Sequence, residues 1–141
     1  IAIPAAPMPD WQDYADRLLL ASIGASNRGD TAEARSLFKK AQGMFDGAGF
    51  ADKPFEVNGY YDTYKLALYL IASERVGIPI APKEKIEIRD RILSLQENNS
   101  NSNRYGGVYT EYNRAGRPAT NYTDTNTETT SLALLALQQT S

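Results

Sequence analysis

Two segments of the chain follow one pattern, and this pattern constrains the fold more than any other feature of the sequence. Residues Asp62–Leu68 read DTYKLAL and residues Glu128–Leu134 read ETTSLAL, so each has an acid, a Thr, two further residues and then Leu-Ala-Leu. Both lie in stretches that are apolar on nearly every side of a helical projection, and a helix without a polar face is normally buried. We therefore predict two buried helices, over residues 60–76 and 125–139.

Three further helices are predicted from their apolar stripes and their end signals. The first covers residues 11–23 with Asp10 as its N-cap, the second covers 31–45 with Asp30 and Glu33 in a variant of the capping box, and the third covers 82–96. The first has a wide apolar face and the other two have narrower ones. The order wide, narrow, buried, narrow, buried predicts alternating inner and outer helices in antiparallel helical hairpins.

Two connections separate the predicted helices. Residues 46–59 hold several Gly, a Pro and three acids, which predicts an irregular loop. Residues 97–124 are rich in Asn, Gly, Tyr and Thr, and residues 108–112 within them are predicted to pair as a short strand of a hairpin. A loop of that length inside a compact domain is uncommon and often functional. The sequence therefore predicts an all-α fold in one domain over residues 1–141, with a long irregular loop over 97–124.

The absence of two residue types excludes several kinds of chemistry. The chain has no Cys and no His, which excludes disulfides, Cys or His zinc sites and a Ser-His-Asp triad. Its net charge is −2 and its 15 basic residues are scattered, so we predict no nucleic-acid partner. We also predict no membrane span, no cofactor and no metal site, because the apolar runs are short and any chemistry must use Asp, Glu, Lys, Arg or Tyr.

Two features favour an extracellular or cell-surface location. Asn98 and Asn121 each begin an N-glycosylation acceptor pattern, Asn-Asn-Ser and Asn-Tyr-Thr. The chain also begins with Ile1 rather than Met, as a processed or trimmed product would. Asn98 and Asn121 are therefore candidate glycosylation sites.

The two twin segments and their preceding loops resemble a known superfamily. Gly106-Gly107-Val108, a polar loop and then Thr127–Leu137 resemble the α/α-toroid repeat, and Gly59–Leu68 looks like an adjacent repeat. This superfamily includes terpene cyclases, protein prenyltransferases, thioester domains and carbohydrate-active enzymes. The Asp-rich cyclase motif, the prenyltransferase zinc ligands and the thioester Cys are absent here, which leaves the carbohydrate-active or extracellular branch. A complete toroid has more helices than this chain supplies, so the resemblance implies a partial toroid: a fragment of a larger one, an open stack of hairpins or one piece of an assembly. Its open faces would be covered by another copy or by the missing part of the chain.

The resemblance also implies where a site would lie. In a toroid the N-termini of the inner helices surround one end of a central cavity, which would bring Asp62 and Glu128 to one rim. Two carboxyl groups are the minimum requirement for glycoside hydrolysis, so Asp62 and Glu128 are the catalytic candidates. Tyr rings can stack on sugar faces, and acids can bind sugar hydroxyls. The substrate-binding candidates are Asp46, Asp52, Tyr60, Tyr61, Tyr109 and Tyr112, and the other acids near the rim are Glu56, Glu111 and Asp124.

The inner-helix candidates also have structural interpretations. Thr125 and Glu128 have the spacing of a capping box, and an acid such as Asp62 in the first helical turn favours the helix dipole. Lys65, inside a buried helix, is either a base of low pKa or a side chain whose amine reaches solvent or an acid. Tyr64 could line a ligand cavity, but aromatic residues on inner helices are more often part of the core.

A calcium loop is the weaker interpretation of the residues before the last helix. Asp124, Asn126 and Glu128 alternate as oxygen ligands would, but the Gly and the distant Glu of an EF-hand are missing. Capping of the helix N-terminus is the preferred interpretation of this stretch.

Two functional hypotheses follow. The first is an extracellular structural or glycan-binding module without its own catalysis, in which carbohydrate is a possible partner. The alternative is a carbohydrate-active enzyme similar to a glycoside hydrolase, which uses paired carboxylates at the rim. Rim acids occupied by backbone N–H groups would favour the module, and a close carboxyl pair in an open cleft would favour the enzyme.

Overall fold

The computed structural model describes residues 9–119 and 125–139, and these residues are mostly helical, as the all-α prediction states. A short 3-10 turn, Trp11–Asp13, precedes the first helix. The helices are α1 Ala15–Asn27, α2 Thr31–Gln42, α3 Lys53–Asn58, α4 Thr63–Val76, α5 Pro82–Ser94 and α6 Thr127–Gln139. Two short strands, β1 Tyr61–Asp62 and β2 Glu111–Tyr112, pair antiparallel, with Tyr61 opposite Tyr112 and Asp62 opposite Glu111.

Helix α4 forms the centre of the core. It packs against α1, α2, α5 and α6, so its apolar residues have neighbours on nearly every side. Its buried apolar residues are Leu66, Ala67, Leu68, Tyr69, Leu70, Ile71, Ala72 and Val76. The prediction that this segment is a buried helix is confirmed. The toroid arrangement of the hairpins stays a prediction.

The first predicted helix is divided in two. Tyr14 has extended backbone angles (φ −115°, ψ 117°) and separates the 3-10 turn from α1. The predicted N-cap, Asp10, makes no capping hydrogen bond and forms an ion pair with Lys53 instead. The predicted end at residue 23 is also wrong, because α1 continues through Gly24 to Asn27. A helical Gly is tolerated at a cost of about 1 kcal/mol, which the packing around buried Ala25 can offset.

The ends of three other helices also differ from the prediction. The Asp30 cap of α2 is confirmed, since the Glu33 N–H donates to Asp30 Oδ1 at 3.1 Å, but α2 ends at Gln42 and not at residue 45. Helix α5 ends at Ser94 rather than at residue 96. Helix α4 begins at Thr63 rather than at residue 60, because the residues before it pair with β2. Long-range pairing of this kind leaves little trace in local sequence.

The two connections contain more structure than predicted. The first includes α3, which ends at Gly59 with the left-handed backbone (φ 77°) that Gly adopts without strain. The second contains β2, which pairs with β1 and also, through an antiparallel bridge between Tyr112 and Pro118, with the residues that follow it in a short hairpin. Residues 120–124 lie outside the described residues. Among the described helices, none is long and apolar enough to cross a membrane.

Candidate functional site

Three acidic side chains from distant parts of the chain line one open pocket, which we call the carboxylate pocket. They are Asp62 before α4, Glu111 on β2 and Glu128 in the first turn of α6. The pocket has a volume of about 440 Å³. Its lining residues are Asp62, Tyr64, Thr110, Glu111, Asn126, Glu128 and Thr129. Both residues predicted as catalytic, Asp62 and Glu128, therefore contribute to the same cavity.

Backbone pairing brings these segments together. The antiparallel register places Asp62 directly opposite Glu111, and the Thr63 N–H donates to the Thr110 carbonyl at 2.9 Å. The start of α6 is attached to the same loop, because the Val108 N–H donates to Thr130 Oγ1 at 2.9 Å. Residues directly opposite each other in a strand pair have neighbouring side chains. The pocket is thus a product of the β1–β2 pairing and of the loop that follows α5.

Asp62 contacts a buried lysine instead of capping its helix. Its side chain makes no capping hydrogen bond at the start of α4. Asp62 Oδ2 lies 2.7 Å from Lys65 Nζ, and the Asp62 side chain is 24% exposed while that of Lys65 is 2% exposed. Asp62 therefore has one carboxylate oxygen in an ion pair and still contributes to the pocket lining.

Glu128 is not part of a capping box. Asn126 caps α6 instead, because its Oδ1 accepts a hydrogen bond of 2.7 Å from the Thr129 N–H. Glu128 is exposed, and within residues 9–119 and 125–139 its carboxylate has no hydrogen bond or ion pair. The prediction of a box between Thr125 and Glu128 is wrong by one residue, since the helix begins at Thr127. The Glu128 carboxylate is consequently free to meet a ligand.

The Glu111 carboxyl group has a raised pKa in this pocket. Partial burial raises it most and the nearby Asp62 carboxylate raises it further, while the Lys65 ammonium lowers it. A carboxyl group of raised pKa is suited to donate a proton in general acid catalysis. The sequence placed Glu111 among the rim acids, but nothing local distinguished it from the others.

Lys65 is bound to two carboxylates in the interior. Its Nζ lies 2.8 Å from Asp52 Oδ2 and 2.7 Å from Asp62 Oδ2. Burial alone lowers the pKa of Lys65, but the attraction of Asp62 and the hydrogen bonds to both acids outweigh this effect, so the pKa lies above its ordinary value. The interpretation of Lys65 as a base of low pKa is therefore wrong, and its amine reaches acids, as the other interpretation states.

Asp52, predicted as a substrate-binding residue, is 3% exposed and contributes to the interior. Its Oδ2 accepts a hydrogen bond of 2.9 Å from the Ala15 N–H as well as one from Lys65. It thus supplies the cap that α1 lacks locally. Asp52 Oδ1 has no hydrogen-bond partner among the described residues. Asp52 connects the start of α1 to α4 and does not line the carboxylate pocket.

Three more substrate-binding candidates form a cluster that holds the loop after α2. Tyr61 and Tyr112 are fully buried, with ring centroids 5.2 Å apart. The Tyr61 hydroxyl donates to Asp46 Oδ2 at 2.5 Å, and the Tyr112 hydroxyl donates to the Ala48 carbonyl at 2.7 Å. Burial, together with the Asp46 contact, raises the pKa of Tyr61 to about 12. These rings have no free face for a sugar in this conformation.

A glycine permits the close packing of that cluster. A Cβ at Gly49 would lie 2.5 Å from both the Tyr112 hydroxyl and the Tyr61 ring. Asp46 closes the turn before it by accepting hydrogen bonds from the Ala48 and Gly49 N–H groups. Hydrogen bonds from Tyr61 and from these backbone groups hold the pKa of Asp46 below its usual value, although burial opposes this. Asp46 is therefore occupied by the fold.

The last two aromatic candidates lie beside the pocket and not in it. Tyr60 is half-buried, and the Tyr109 hydroxyl donates to Glu97. The aromatic residue that does line the pocket is Tyr64, whose hydroxyl donates to Asp16 on α1. The sequence favoured core packing as the interpretation of Tyr64. Its position near the start of a predicted inner helix is the signal that its ring could also reach the rim.

Only some of the candidate glycosylation and metal-binding residues lie within the described residues. Asn98 is exposed, and Asn121 lies outside the described residues, as does Asp124. The use of either glycosylation site stays a prediction. Across the part of the chain that the structure describes, no group of three or more Asp, Glu, His or Cys residues is placed to hold a metal ion.

An apolar groove continues from the carboxylate pocket, and the two share Tyr64 and Glu128. The groove has a volume of about 390 Å³ and runs between α1, α4 and α6. Its lining residues are Leu20, Tyr64, Leu68, Glu128, Ser131, Leu132 and Leu135. Leu20 is 56% exposed and Leu135 is 42% exposed. Apolar side chains are therefore exposed to solvent along this groove.

Comparison of the chain with protein-family models, with curated proteins and with solved structures returned no match. The geometry of the site is therefore the basis for a proposed function.

Proposed function

We propose that the chain is an extracellular glycan-binding module, built from helical hairpins in a partial α/α-toroid arrangement, and that the carboxylate pocket is its binding site. The observation that carries the proposal is the convergence of Asp62, Glu111 and Glu128 on one open cavity. Asp62 has one carboxylate oxygen paired with Lys65 and still lines the cavity. Glu128 neither caps α6 nor forms an ion pair within the described residues, so the fold gives no reason for an acid there, and ligand binding would give one.

The lining suits a polyhydroxylated ligand. Carboxylate oxygens accept hydrogen bonds from sugar hydroxyls, and bonds to charged groups are the stronger ones, worth about 1.5–3 kcal/mol. Thr110 and Asn126 add groups that both donate and accept, and Tyr64 adds an aromatic ring. A phosphate-bearing ligand is disfavoured, because the three acids would repel its negative charge.

The binding experiment uses the acid that the fold does not need. Glu128→Gln should weaken binding to a responsive glycan by roughly ten- to hundredfold, because a charged hydrogen bond is lost while the fold is unchanged. Isothermal titration calorimetry against a panel of neutral and acidic oligosaccharides measures this. The matched control is Glu56→Gln, since Glu56 is an exposed acid on α3 outside the pocket lining. Equal affinities for wild type and Glu128→Gln would refute the assigned site.

A second candidate function, glycoside hydrolysis, is favoured by the different environments of two pocket acids. Burial and Asp62 raise the pKa of Glu111, whereas Asp62 is paired with the Lys65 ammonium. Such a pair can divide the work of hydrolysis. Glu111 would donate its proton to the glycosidic oxygen as the C–O bond breaks, and an ionised carboxylate, Asp62 or Glu128, would take a proton from the attacking water.

The two candidates differ in one measurable outcome. If the chain is an enzyme, Glu111→Gln should keep glycan affinity within a fewfold of wild type and lose at least about a hundredfold in turnover, since general acid catalysis contributes that much. Release of reducing ends from the bound glycan provides the assay. If the wild-type protein binds a glycan without cleaving it, the hydrolase hypothesis is refuted and the binding module is kept. If Glu111→Gln cleaves the glycan at the wild-type rate, Glu111 is not the general acid.

A further inference from the structure

We propose that Lys65 is a positioning residue for the carboxylate pocket: its buried ammonium, held between Asp52 and Asp62, fixes the Asp62 carboxylate at the pocket edge opposite Glu111. This inference rests on the proposed function, because it concerns the same pocket. Its first test requires no ligand, so the role of Lys65 can be confirmed or refuted independently of glycan binding.

The geometry fixes the ammonium between two carboxylates. Lys65 Nζ lies 2.7 Å from Asp62 Oδ2 and 2.8 Å from Asp52 Oδ2, which are distances of charge-assisted hydrogen bonds. The Lys65 side chain is 2% exposed and the Asp52 side chain 1% exposed, so water cannot substitute for either partner. These two buried contacts restrain the otherwise flexible side chain of Lys65. The Asp62 carboxylate is thereby fixed while 24% of its side chain stays exposed.

The three acids around Lys65 differ in their partners. Asp52 Oδ2 accepts hydrogen bonds from the Ala15 N–H and from Lys65, so this buried carboxylate has two donors. Asp62 lies beside the ammonium, but the side chain of Glu111, directly opposite on β2, makes no hydrogen bond or ion pair within the described residues. Like charges directly opposite in a strand pair are unfavourable. The Lys65 ammonium offsets part of this repulsion, and its charge lowers the pKa of Glu111.

Other charged groups lie around this pair. Glu128 of α6 lines the same pocket and adds negative charge to it. On the α1 side, Asp16 accepts the hydrogen bond of the Tyr64 hydroxyl, so that acid is already occupied. Among these groups Lys65 supplies the positive charge. Its loss would leave two acids, one of them fully buried, without their counter-ion.

The primary test is a pH titration of the side-chain carboxyl carbons by ¹³C NMR in the free protein. In Lys65→Met the midpoint of Glu111 should rise above its wild-type value, because the positive charge that opposes protonation is gone. Lys65→Arg should restore the wild-type profile. Lys85→Met removes an exposed lysine that pairs with Glu74 on the outer surface, and it should leave the Glu111 profile unchanged. Amide spectra of each variant confirm that it is folded.

A second variant keeps the test decisive if Lys65→Met does not fold. Lys65→Gln retains hydrogen-bond donors on a side chain one bond shorter and removes the charge, so it should shift the Glu111 midpoint in the same direction. A folded Lys65→Gln or Lys65→Met protein with the wild-type Glu111 profile overturns the proposal. Glycan titrations add the second readout: both neutral variants should weaken binding at least tenfold, and Lys65→Arg should restore most of it. A shifted Glu111 profile in a protein that binds no glycan would support Lys65 and refute the proposed function.

Discussion

Helices α4 and α6 share a sequence pattern but not an environment. In α4, Leu66 is 1% exposed and Leu68 is 4% exposed, whereas Leu134, which corresponds to Leu68, is 55% exposed in α6. Helix α4 is enclosed by α1, α2, α5 and α6, while the buried residues of α6 are Thr129, Ala133 and Ala136. An apolar pattern shows that a helix is able to be buried, and the neighbours decide on how many sides it is.

The acids of the two segments differ in the same way. Asp62 has a lysine three residues later, and that lysine holds its carboxylate. The corresponding position after Glu128 is Ser131, which lines the apolar groove, and the Glu128 carboxylate has no partner among the described residues. One acid is therefore held by the protein and the other is open to a ligand. The proposed binding site would therefore contain one carboxylate fixed by the protein and one without a partner among the described residues.

The largest expected effect tests the difference in burial. Leu68→Ala should reduce the free energy of unfolding by about 2–5 kcal/mol, because it removes buried methyl groups and leaves a cavity. Leu134→Ala, at the corresponding position of α6, should change it by less than about 0.5 kcal/mol, since an exposed side chain loses little contact. Urea denaturation followed by circular dichroism measures both values.

The result also bears on the expected partner. If Leu134→Ala destabilises the protein as much as Leu68→Ala, then α6 is covered in solution by a surface that residues 9–119 and 125–139 of one chain do not supply. Analytical ultracentrifugation of wild type over a range of concentrations would then show whether a second copy covers it. A stable monomer in which the two leucines differ as predicted removes the need for such a partner.

The sequence predicted the helices well where their signals are local. The apolar stripe of α2 and its Asp30 cap lie within one segment, and so does the apolar core of α4. The sequence-based prediction failed where a distant residue determines the start of a helix. The N-terminus of α1 is capped by Asp52, 37 residues away from Ala15, and the start of α4 is set by pairing with β2. No periodicity within a helix records such contacts.

The candidate site shows the same contrast between local signals and long-range contacts. The resemblance to the α/α-toroid repeat implied that Asp62 and Glu128 would approach one rim, and both side chains line one pocket. It did not distinguish Glu111, whose position depends on its register opposite Asp62. Nor did it show that Tyr61 and Tyr112 would turn inward, because their burial results from packing around Gly49. Residue type indicates what chemistry is possible, while long-range pairing decides which residues are exposed to perform it.

The smallest expected effect concerns how the two helices begin. Helix α4 starts on a backbone hydrogen bond from the Thr63 N–H to the Thr110 carbonyl, whereas α6 depends on the side chain of Asn126. Asn126→Ala should therefore reduce the free energy of unfolding by about 1 kcal/mol, within the range of about 0.5–2 kcal/mol known for lost N-caps. Thermal denaturation would report this as a fall in Tm of a few degrees.

Two companion variants show whether the cap is the cause. Asn126→Asp keeps an oxygen that can accept from the Thr129 N–H and adds a negative charge at the positive end of the helix dipole, so it should match or exceed the wild-type Tm. Thr127→Ala, one residue later and exposed, should change stability by less than about 0.5 kcal/mol. If Asn126→Ala and Asn126→Asp melt at the same temperature, the side-chain cap contributes nothing. Packing against α4 would then fix the start of α6, and the two helices would be more alike at their N-termini than along their lengths.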